Sequence, residues 1–284
     1  MIYRNMNSSL TQIESNKIQE PGTLYQRTDT FQLPGVTAKL YQADCLDAMR
    51  LIPDGSVDLI LTDLPYGTTE NTWDKPIDLE KLWGEYCRVV KDNGCVALWA
   101  QAPFDKMLAL SNAKMFRYQW IVVKNHPTGF LNANRMPLKT HEMMLIFYKR
   151  LPTYHPQKTD GHPRKAATAA QKAAAKATTN YGHHRLTTYD STERFPTDVL
   201  HFTWPHHMGN NCLHPTQKPV EACRYFIETY TNAGDTVLDS CMGSNTTGAA
   251  AMSCGRNYIG IEIDPDIYSI AVETQKAACR EPRN

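Results

Sequence analysis

A short apolar run over residues 57–62 leads directly into a carboxylate, a proline and an aromatic ring, and this combination restricts the possible folds more than any other feature. The segment after the run reads Asp63-Leu64-Pro65-Tyr66-Gly67. Open parallel sheets present their ligands beyond the carboxyl ends of their strands, so we expect this segment at the rim of a cleft. It would offer acceptors and a stacking ring to a flat amine. The alternative is a simple turn, since Asp and Pro are both common turn residues.

A second strand-and-loop pattern lies near the other end of the chain. Residues 236–248 predict a short strand, a tight loop and a helix start, and Glu262 ends the next predicted strand. That spacing is typical of a carboxylate that binds a ribose. The loop lacks the G-x-G-x-x-G pattern and contains no basic residue. A sulfonium nucleoside with an amino-acid tail is therefore favoured over a dinucleotide pyrophosphate, and nicotinamide binding is the minor alternative.

Strand and helix patterns alternate along most of the chain. Apolar strands are predicted over 38–43, 57–62, 95–99, 117–123 and 143–148, with a helix capped by Asp78 and another opened by Pro103. This alternation indicates an α/β fold with a mostly parallel sheet and helices on both faces. We divide the chain into an N-terminal extension (1–35), a catalytic half (36–150), an insert (151–203) and a cofactor-binding half (204–284).

Three motifs in this order resemble one enzyme family. The segment from Asp63 to Tyr66 resembles the D-P-P-Y motif of the amino-methyltransferases, the glycine loop follows far downstream, and between them lies His214-Pro215-Thr216-Gln217-Lys218-Pro219. With the catalytic motif first, the chain resembles the beta group of DNA amino-methyltransferases over roughly residues 36–275. The resemblance implies a Rossmann-like S-adenosylmethionine-dependent methyltransferase fold with a seven-stranded sheet, one antiparallel strand near an edge, permuted motif order and a target-recognition insert.

The resemblance also implies roles for individual residues. The catalytic candidates are Asp63, Leu64, Pro65 and Tyr66, where the Asp63 carboxylate and the Leu64 carbonyl would hold the amine and Tyr66 would stack on the base. The cofactor-binding candidates are Asp44, Asp63, Thr216, Lys218, Asp239, Gly243, Ser244, Asn245, Thr246 and Glu262. The chain departs from the family pattern at Leu64, Ser240, Cys241 and Asn245, although Asn tolerates a left-handed backbone better than most residues.

The charge distribution suggests where double-stranded DNA would bind. The net charge is only +1, but residues 149–185 contain eight Lys and Arg against one acid, Asp160. Such a segment either stays solvated or orders against phosphates. A polar loop over 124–135 could also line the DNA. The DNA-binding candidates are Lys124, Asn125, His141, Lys149, Arg164, Lys165, Lys172, Lys176 and Arg185.

Adenine N6 is the predicted target, because the motif begins with Asp and no Pro-Cys nucleophile is present. Cytosine N4, structured RNA, a protein amide and a catalytically silent DNA-binding module remain as alternatives. The eight cysteines form no C-x-x-C pair, and Cys212 with His214, His206 and His207 lacks a second ligand pair, so no metal is predicted. No apolar run approaches a membrane span and residues 1–10 lack a signal-peptide core, which favours a cytoplasmic protein. The resemblance implies a homodimer and a cognate restriction nuclease as candidate partners, although no pattern in the sequence specifies either.

Overall fold

The computed structural model describes residues 12–17, 24–67, 76–168, 188–204 and 217–280. The chain divides into two compact units. The first comprises Met1–His155 with Asp198–Asn284, and the second is Pro156–Thr197. Within the described residues, no helix has both the length and the apolar character needed to cross a bilayer.

The first unit is built on a ten-stranded sheet. Its strands are β1 (Gln12–Lys17), β2 (Arg27–Leu33), β3 (Val36–Gln42), β4 (Val57–Asp63), β5 (Val90–Ala100), β6 (Phe116–Thr128), β7 (Lys139–Phe147), β10 (Val199–Phe202), β11 (Thr236–Asp239) and β12 (Asn257–Glu262). They lie side by side in the order β1-β2-β3-β12-β11-β4-β5-β7-β6-β10. Strands β3, β12, β11, β4 and β5 are parallel neighbours, β7 runs antiparallel between β5 and β6, and β10 pairs parallel with β6.

Helices cover both faces of this sheet, as the alternation of patterns predicts. One face packs under α1 (Cys45–Met49), α2 (Leu79–Val89) and α3 (Phe104–Ser111), and the other under α4 (Val220–Tyr230), α5 (Thr246–Ser253) and α6 (Pro265–Ala278). Successive strand side chains point to opposite faces, so both sides of the central strands are apolar. In β4, Leu59 and Leu61 join one core cluster and Ile60 joins the other, all fully buried.

Local signals set the helix starts. Asp78 accepts hydrogen bonds from the amides of Glu80 and Lys81, which confirms it as the N-cap of α2. The helix predicted after Pro103 is α3, which begins at Phe104. Asp264 caps α6 in the same way as Asp78 caps α2, immediately after the strand that ends at Glu262.

The prediction of seven strands is wrong in number. Three strands flank a central group of seven: β1 and β2 at one edge and β10 at the other. Residues 27–33 fall within the predicted N-terminal extension, yet they form β2, with Phe31 fully buried and Asp29 accepting a hydrogen bond from the Tyr268 hydroxyl. The polar composition of this strand concealed the burial of Phe31 and Leu33.

The second unit contains a small antiparallel pair, β8 (Lys165–Ala167) with β9 (Tyr189–Ser191). Arg164 forms an ion pair with Asp190 beside this pair. The alanine-rich composition of residues 164–180 can form a helix, but residues 165–167 are a strand, and residues 169–180 lie outside the described part of the chain. The predicted insert, 151–203, extends beyond this unit at both ends, because residues 199–202 belong to the main sheet as β10.

Candidate active site

Three carboxylates end three adjacent parallel strands. Asp63 is the last residue of β4, Asp239 of β11 and Glu262 of β12. Strand β11 pairs with both β4 and β12, so the neighbouring positions expected for Asp63 and Asp239 are confirmed. All three side chains therefore project from the end of the sheet at which the parallel strands terminate. We call this end the carboxyl edge, as distinct from the outermost strands.

One pocket opens at this edge, and it is lined by residues from both the predicted catalytic site and the predicted cofactor site. Asp63 and Lys218 lie on one side of it, and Asp239 with the loop after β11 lies on the other. Among the described residues, the pocket is lined by Asp63, Trp99, Gln217, Lys218, Asp239, Cys241, Met242, Gly243, Ser244, Thr246 and Thr247.

Asp239 is buried and firmly held. Its Oδ1 accepts hydrogen bonds from the Thr62 hydroxyl at 2.6 Å and from the Cys241 amide at 3.2 Å. Burial raises the pKa of Asp239 to about 6, against the opposing effect of these hydrogen bonds. A carboxylate that is this costly to ionise is stabilised by a nearby cation.

Glu262 is fixed by the loop that it faces. Its two oxygens accept from the amides of Gly243 at 3.0 Å and Asp264 at 2.9 Å. Burial raises the pKa of Glu262, although these backbone hydrogen bonds oppose the shift. Each carboxylate oxygen can accept about two hydrogen bonds, so acceptor capacity for a ligand remains beside these amides and the amide of Ile263.

The loop between β11 and α5 owes its shape to two residues in the left-handed region. Gly243 has φ 51° and Asn245 has φ 68°, which confirms the expectation that Asn supports this backbone. The Asn245 side chain, however, turns into the core and donates to Gln275 Oε1 at 2.8 Å. Asn245 was predicted to bind the cofactor, and this is corrected: it shapes the loop and does not line the pocket. A Cβ at Gly248 would lie 2.1 Å from Asn245 Oδ1, so this close approach requires glycine.

Asp63 is held from two sides. The Tyr66 hydroxyl donates to its Oδ1 at 2.6 Å, and Lys218 Nζ donates to its Oδ2 at 2.6 Å. The Tyr66 ring also stacks on Phe104, with centroids 4.8 Å apart. Leu64 is 4% exposed, and its side chain packs into the apolar cluster under α2. Its role as a pocket residue would therefore rest on its backbone alone.

Lys218 belongs to a buried chain of alternating charges that the sequence did not reveal. Its Nζ lies 3.2 Å from Glu142 Oε2, and Glu142 Oε1 lies 2.8 Å from Lys124 Nζ. The side chains of these three residues are each about one-tenth exposed or less. Burial alone would raise the pKa of Glu142, but the charges of Lys218 and Lys124 outweigh it and lower the pKa.

Trp204 lies against this chain. Lys124 Nζ is 5.1 Å and Lys218 Nζ 5.8 Å from the centroid of its ring, within the range of cation–π contacts. Asn125 accepts a hydrogen bond from the Trp204 amide at 3.0 Å, which ties residue 204 to the end of β6. The sequence offered one usable signal for this cluster, the His141-Glu142 pair, but nothing local indicated that Glu142 contacts Lys218.

Several predicted site residues lie elsewhere. Asp44 is exposed just after β3 and accepts a hydrogen bond from the Leu46 amide, as the N-cap of α1. Lys124 was predicted to contact DNA but is buried in its ion pair with Glu142. Lys149 was predicted to contact DNA but lies at the opposite edge of the sheet, where it donates to the Cys87 carbonyl. We remove Lys124 and Lys149 from the predicted DNA surface.

The remaining candidates divide between exposed residues and residues outside the described part. Asn125 and His141 are exposed at the carboxyl edge. Arg164 and Lys165 are exposed in the second unit, where Arg164 is already paired with Asp190. The candidates and motif residues that lie outside the described residues are Lys172, Lys176, Arg185, His206, His207, Cys212, His214, Pro215 and Thr216.

The order of the sheet and the strand-end carboxylates define an α/β enzyme fold of the methyltransferase type. Solved structures agree in fold. A complex of M1.HpyAVI with SAM matches with a TM-score of 0.56 and 23% identity over 84% of this chain and 98% of the other. The cytosine-N4-specific PvuII DNA methyltransferase matches with a TM-score of 0.57 and 15% identity over 84% and 86%.

Sequence comparison then gives the family. The family described as DNA methylase matches residues 57–273, and the chain belongs to it. Among curated relatives, the DNA adenine methyltransferase YhdJ of Escherichia coli is 28% identical over 82% of this chain and 81% of its own length. The type II methyltransferase M.HpaI of Haemophilus parainfluenzae is 26% identical over 83% and 73%.

Proposed function

We propose that this protein transfers a methyl group from S-adenosylmethionine to the N6 amine of adenine in double-stranded DNA, after the base is flipped out of the helix. The observation that carries the proposal is the single pocket lined by both Asp63 and the loop after β11. A methyl donor and an amine acceptor must meet in line, and holding both in one cleft supplies much of the rate. The relative YhdJ carries the adenine specificity in its name.

The acceptor side would work by hydrogen bonding. The amine of adenine is a poor nucleophile because its lone pair is delocalised into the ring. The Asp63 carboxylate and the Leu64 carbonyl would accept its two hydrogens. Each Asp63 oxygen accepts one hydrogen bond, from Tyr66 or from Lys218, and can accept a second. The amine could therefore bind while both of these hydrogen bonds stay in place. Because Phe104 covers one face of the Tyr66 ring, a stacked base would use the opposite face.

The cofactor side would use the buried carboxylates. Glu262 would accept both ribose hydroxyls, and Asp239 would face the cationic methionine end of the cofactor. Residues Gly243, Ser244 and Thr246 would line its path. Asp44 would reach the cofactor only at the rim, from its N-cap position.

The pH dependence of cofactor affinity tests the position of Asp239. Its pKa is about 6, and a bound cation favours the ionised form. Affinity for S-adenosylmethionine should therefore be constant above pH 7 and fall as the pH drops through 6, approaching tenfold per unit. Calorimetry between pH 5 and 8 measures this, with Asp239→Asn as the comparison. An identical pH profile in the variant would move the methionine end away from Asp239.

The product and its sequence context test the reaction. The protein would be expressed in a host without DNA methylation, and modified bases would be mapped by direct sequencing and identified as nucleosides by mass spectrometry. We expect N6-methyladenine at a fixed short sequence. Recovery of N4-methylcytosine alone would assign the chain to the cytosine branch of the family. Cofactor binding without any methylated base would favour a silent DNA-binding module or a different acceptor, such as structured RNA.

We also propose that the second unit, Pro156–Thr197, carries part of the target recognition. Its support is the excess of positive charge between residues 149 and 185, of which Lys165 is exposed. Phosphate contacts position a protein on DNA, whereas side chains in the grooves read the bases. A homodimer and a cognate restriction nuclease stay predictions without support in the contacts described here.

A further inference from the structure

The hairpin between β6 and β7 ends in a group of exposed apolar side chains. Phe130 is 76% exposed, Leu131 85%, Met136 50% and Leu138 39%. Single exposed apolar residues are ordinary on a protein surface, but four within nine residues at one loop tip are not. The group needs a partner that covers it.

The tip has a defined backbone. Gly129 adopts φ 86°, and a short 3₁₀ turn, Phe130–Asn132, follows it. The amides of Asn132 and Ala133 donate to the carbonyls of Gly129 and Phe130, at 3.0 and 3.1 Å. Phe130 and Leu131 are therefore presented on a preformed turn, and little conformational entropy remains to be lost when they are covered.

The tip also lies at the carboxyl edge of the sheet, as the acceptor site does. Strand β6 is parallel to β10 and antiparallel to β7, which in turn is antiparallel to β5, so β6 ends at the same carboxyl edge as β4 and β5. The base of the hairpin is fastened there, since Lys139 Nζ donates to Gln101 Oε1 at 3.1 Å, just after β5. Asp63 ends β4, which pairs directly with β5. The apolar tip and the acceptor site thus lie at the same end of the sheet.

Charge identifies the ligand as a polyanion. Residues 125–141 contain Arg135 and Lys139 and no Asp or Glu, which gives +2 with the two histidines neutral. A protein partner for an apolar tip would not require this uniform sign. Proteins that deform DNA combine cations with Phe, Leu or Met side chains that enter between base steps and unstack them.

We infer that Phe130 and Leu131 form a wedge that enters the DNA stack and compensates for the base that leaves it. This inference rests on the proposed function, because only an enzyme that flips a base creates such a gap. The wedge lowers the cost of extrusion, and that cost is smaller when the target base is already mispaired. Removing the wedge should therefore reduce methyl transfer more on a fully paired duplex than on a duplex whose target base is mispaired.

The experiment compares Phe130→Ala/Leu131→Ala with Leu110→Ala, whose side chain is 75% exposed on α3 and serves as the matched control. Substrates are two duplexes containing a site mapped in the methylating host, one fully paired and one with a mismatch opposite the target base. On the paired duplex the double variant should lose about 10- to 100-fold in kcat/KM, and on the mismatched duplex it should lose less than about threefold. Leu110→Ala should match the wild type on both, and cofactor affinity should not change in any variant.

An equal loss on both duplexes, or no loss at all, would overturn the wedge. Sedimentation tests the competing occupant: self-association that the double substitution abolishes would assign the tip to a second copy of the chain. Failure of the proposed function would be seen earlier, in the mapping experiment: the wild-type protein would then methylate no site in the host DNA. A loss confined to the wedge variant on paired DNA cannot be confused with that result.

Discussion

Asp63→Ala should lose methyl transfer by at least about 10²- to 10³-fold, the range observed when one preorganised hydrogen-bonding group is removed from an active site. Asp63 is proposed to hold the acceptor amine and not the methyl donor. Binding of S-adenosylmethionine should therefore survive the substitution. Asp63→Asn should behave in the same way, since it retains the shape of the side chain while losing the charge that Lys218 faces at 2.6 Å.

Glu262→Ala provides the converse. It should weaken S-adenosylmethionine binding by roughly 1.5 to 3 kcal/mol, the range for hydrogen bonds to a charged group. Saturating cofactor should restore much of its transfer rate. Calorimetry and a tritium-transfer assay on both variants separate the two roles. Residual transfer by Asp63→Ala within a few-fold of wild type would remove Asp63 from the acceptor site.

Lys218→Met should destabilise the protein by about 3 to 5 kcal/mol at neutral pH, because it leaves Asp63 and Glu142 without their shared cation. Lys276→Met is the matched control. It breaks an ion pair with the largely exposed Glu273, and such pairs contribute about 1 kcal/mol or less. Urea unfolding of both variants and of the wild type measures the difference.

The pH dependence of this deficit identifies its cause. In the wild type, the pKa of Glu142 is lowered, so its contribution to stability is present above the ordinary carboxyl range and is lost as the pH falls through the lowered value. Without Lys218, only Lys124 opposes the effect of burial, so the pKa of Glu142 rises relative to the wild type and the ionised carboxylate contributes less stability at neutral pH. The deficit of Lys218→Met should therefore shrink at low pH. The double variant Lys218→Met/Glu142→Gln should recover part of the loss at pH 7. A deficit independent of pH, or no recovery in the double variant, would mean that packing of the lysine stem carries the effect.

The sequence predicted those parts of the site that depend on local pattern. Asp63, Asp239 and Glu262 each follow an apolar run, and a carboxylate at the end of a parallel strand can be placed without knowing the whole sheet. The left-handed Asn245 was also predictable, because its residue type and its place in a tight loop agree. The alternation of strands and helices sufficed for the fold class.

The rest depended on contacts between distant residues. Lys218 was assigned to the cofactor because of its motif, but its ion pair with Asp63 spans 155 positions. Lys124 looked like a surface cation until Glu142 on the adjacent strand accounted for its burial. Strand β2 contains five polar residues in seven, and only its pairing with β3 explains why Phe31 is buried. Ion pairs and sheet registers of this kind have no signature in a window of ten residues.

The pairing of β4 with β11 governs how this molecule can be made. These two strands lie side by side in the middle of the sheet, yet Leu59 and Val237 are separated by most of the chain. At a synthesis rate of about 5 to 20 residues per second, one side of β4 waits roughly 9 to 35 seconds for its partner to leave the ribosome. During that interval the nascent polypeptide has an open, strongly apolar strand edge, the kind that promotes aggregation. Permuted motif order thus adds to the demand on chaperones during synthesis.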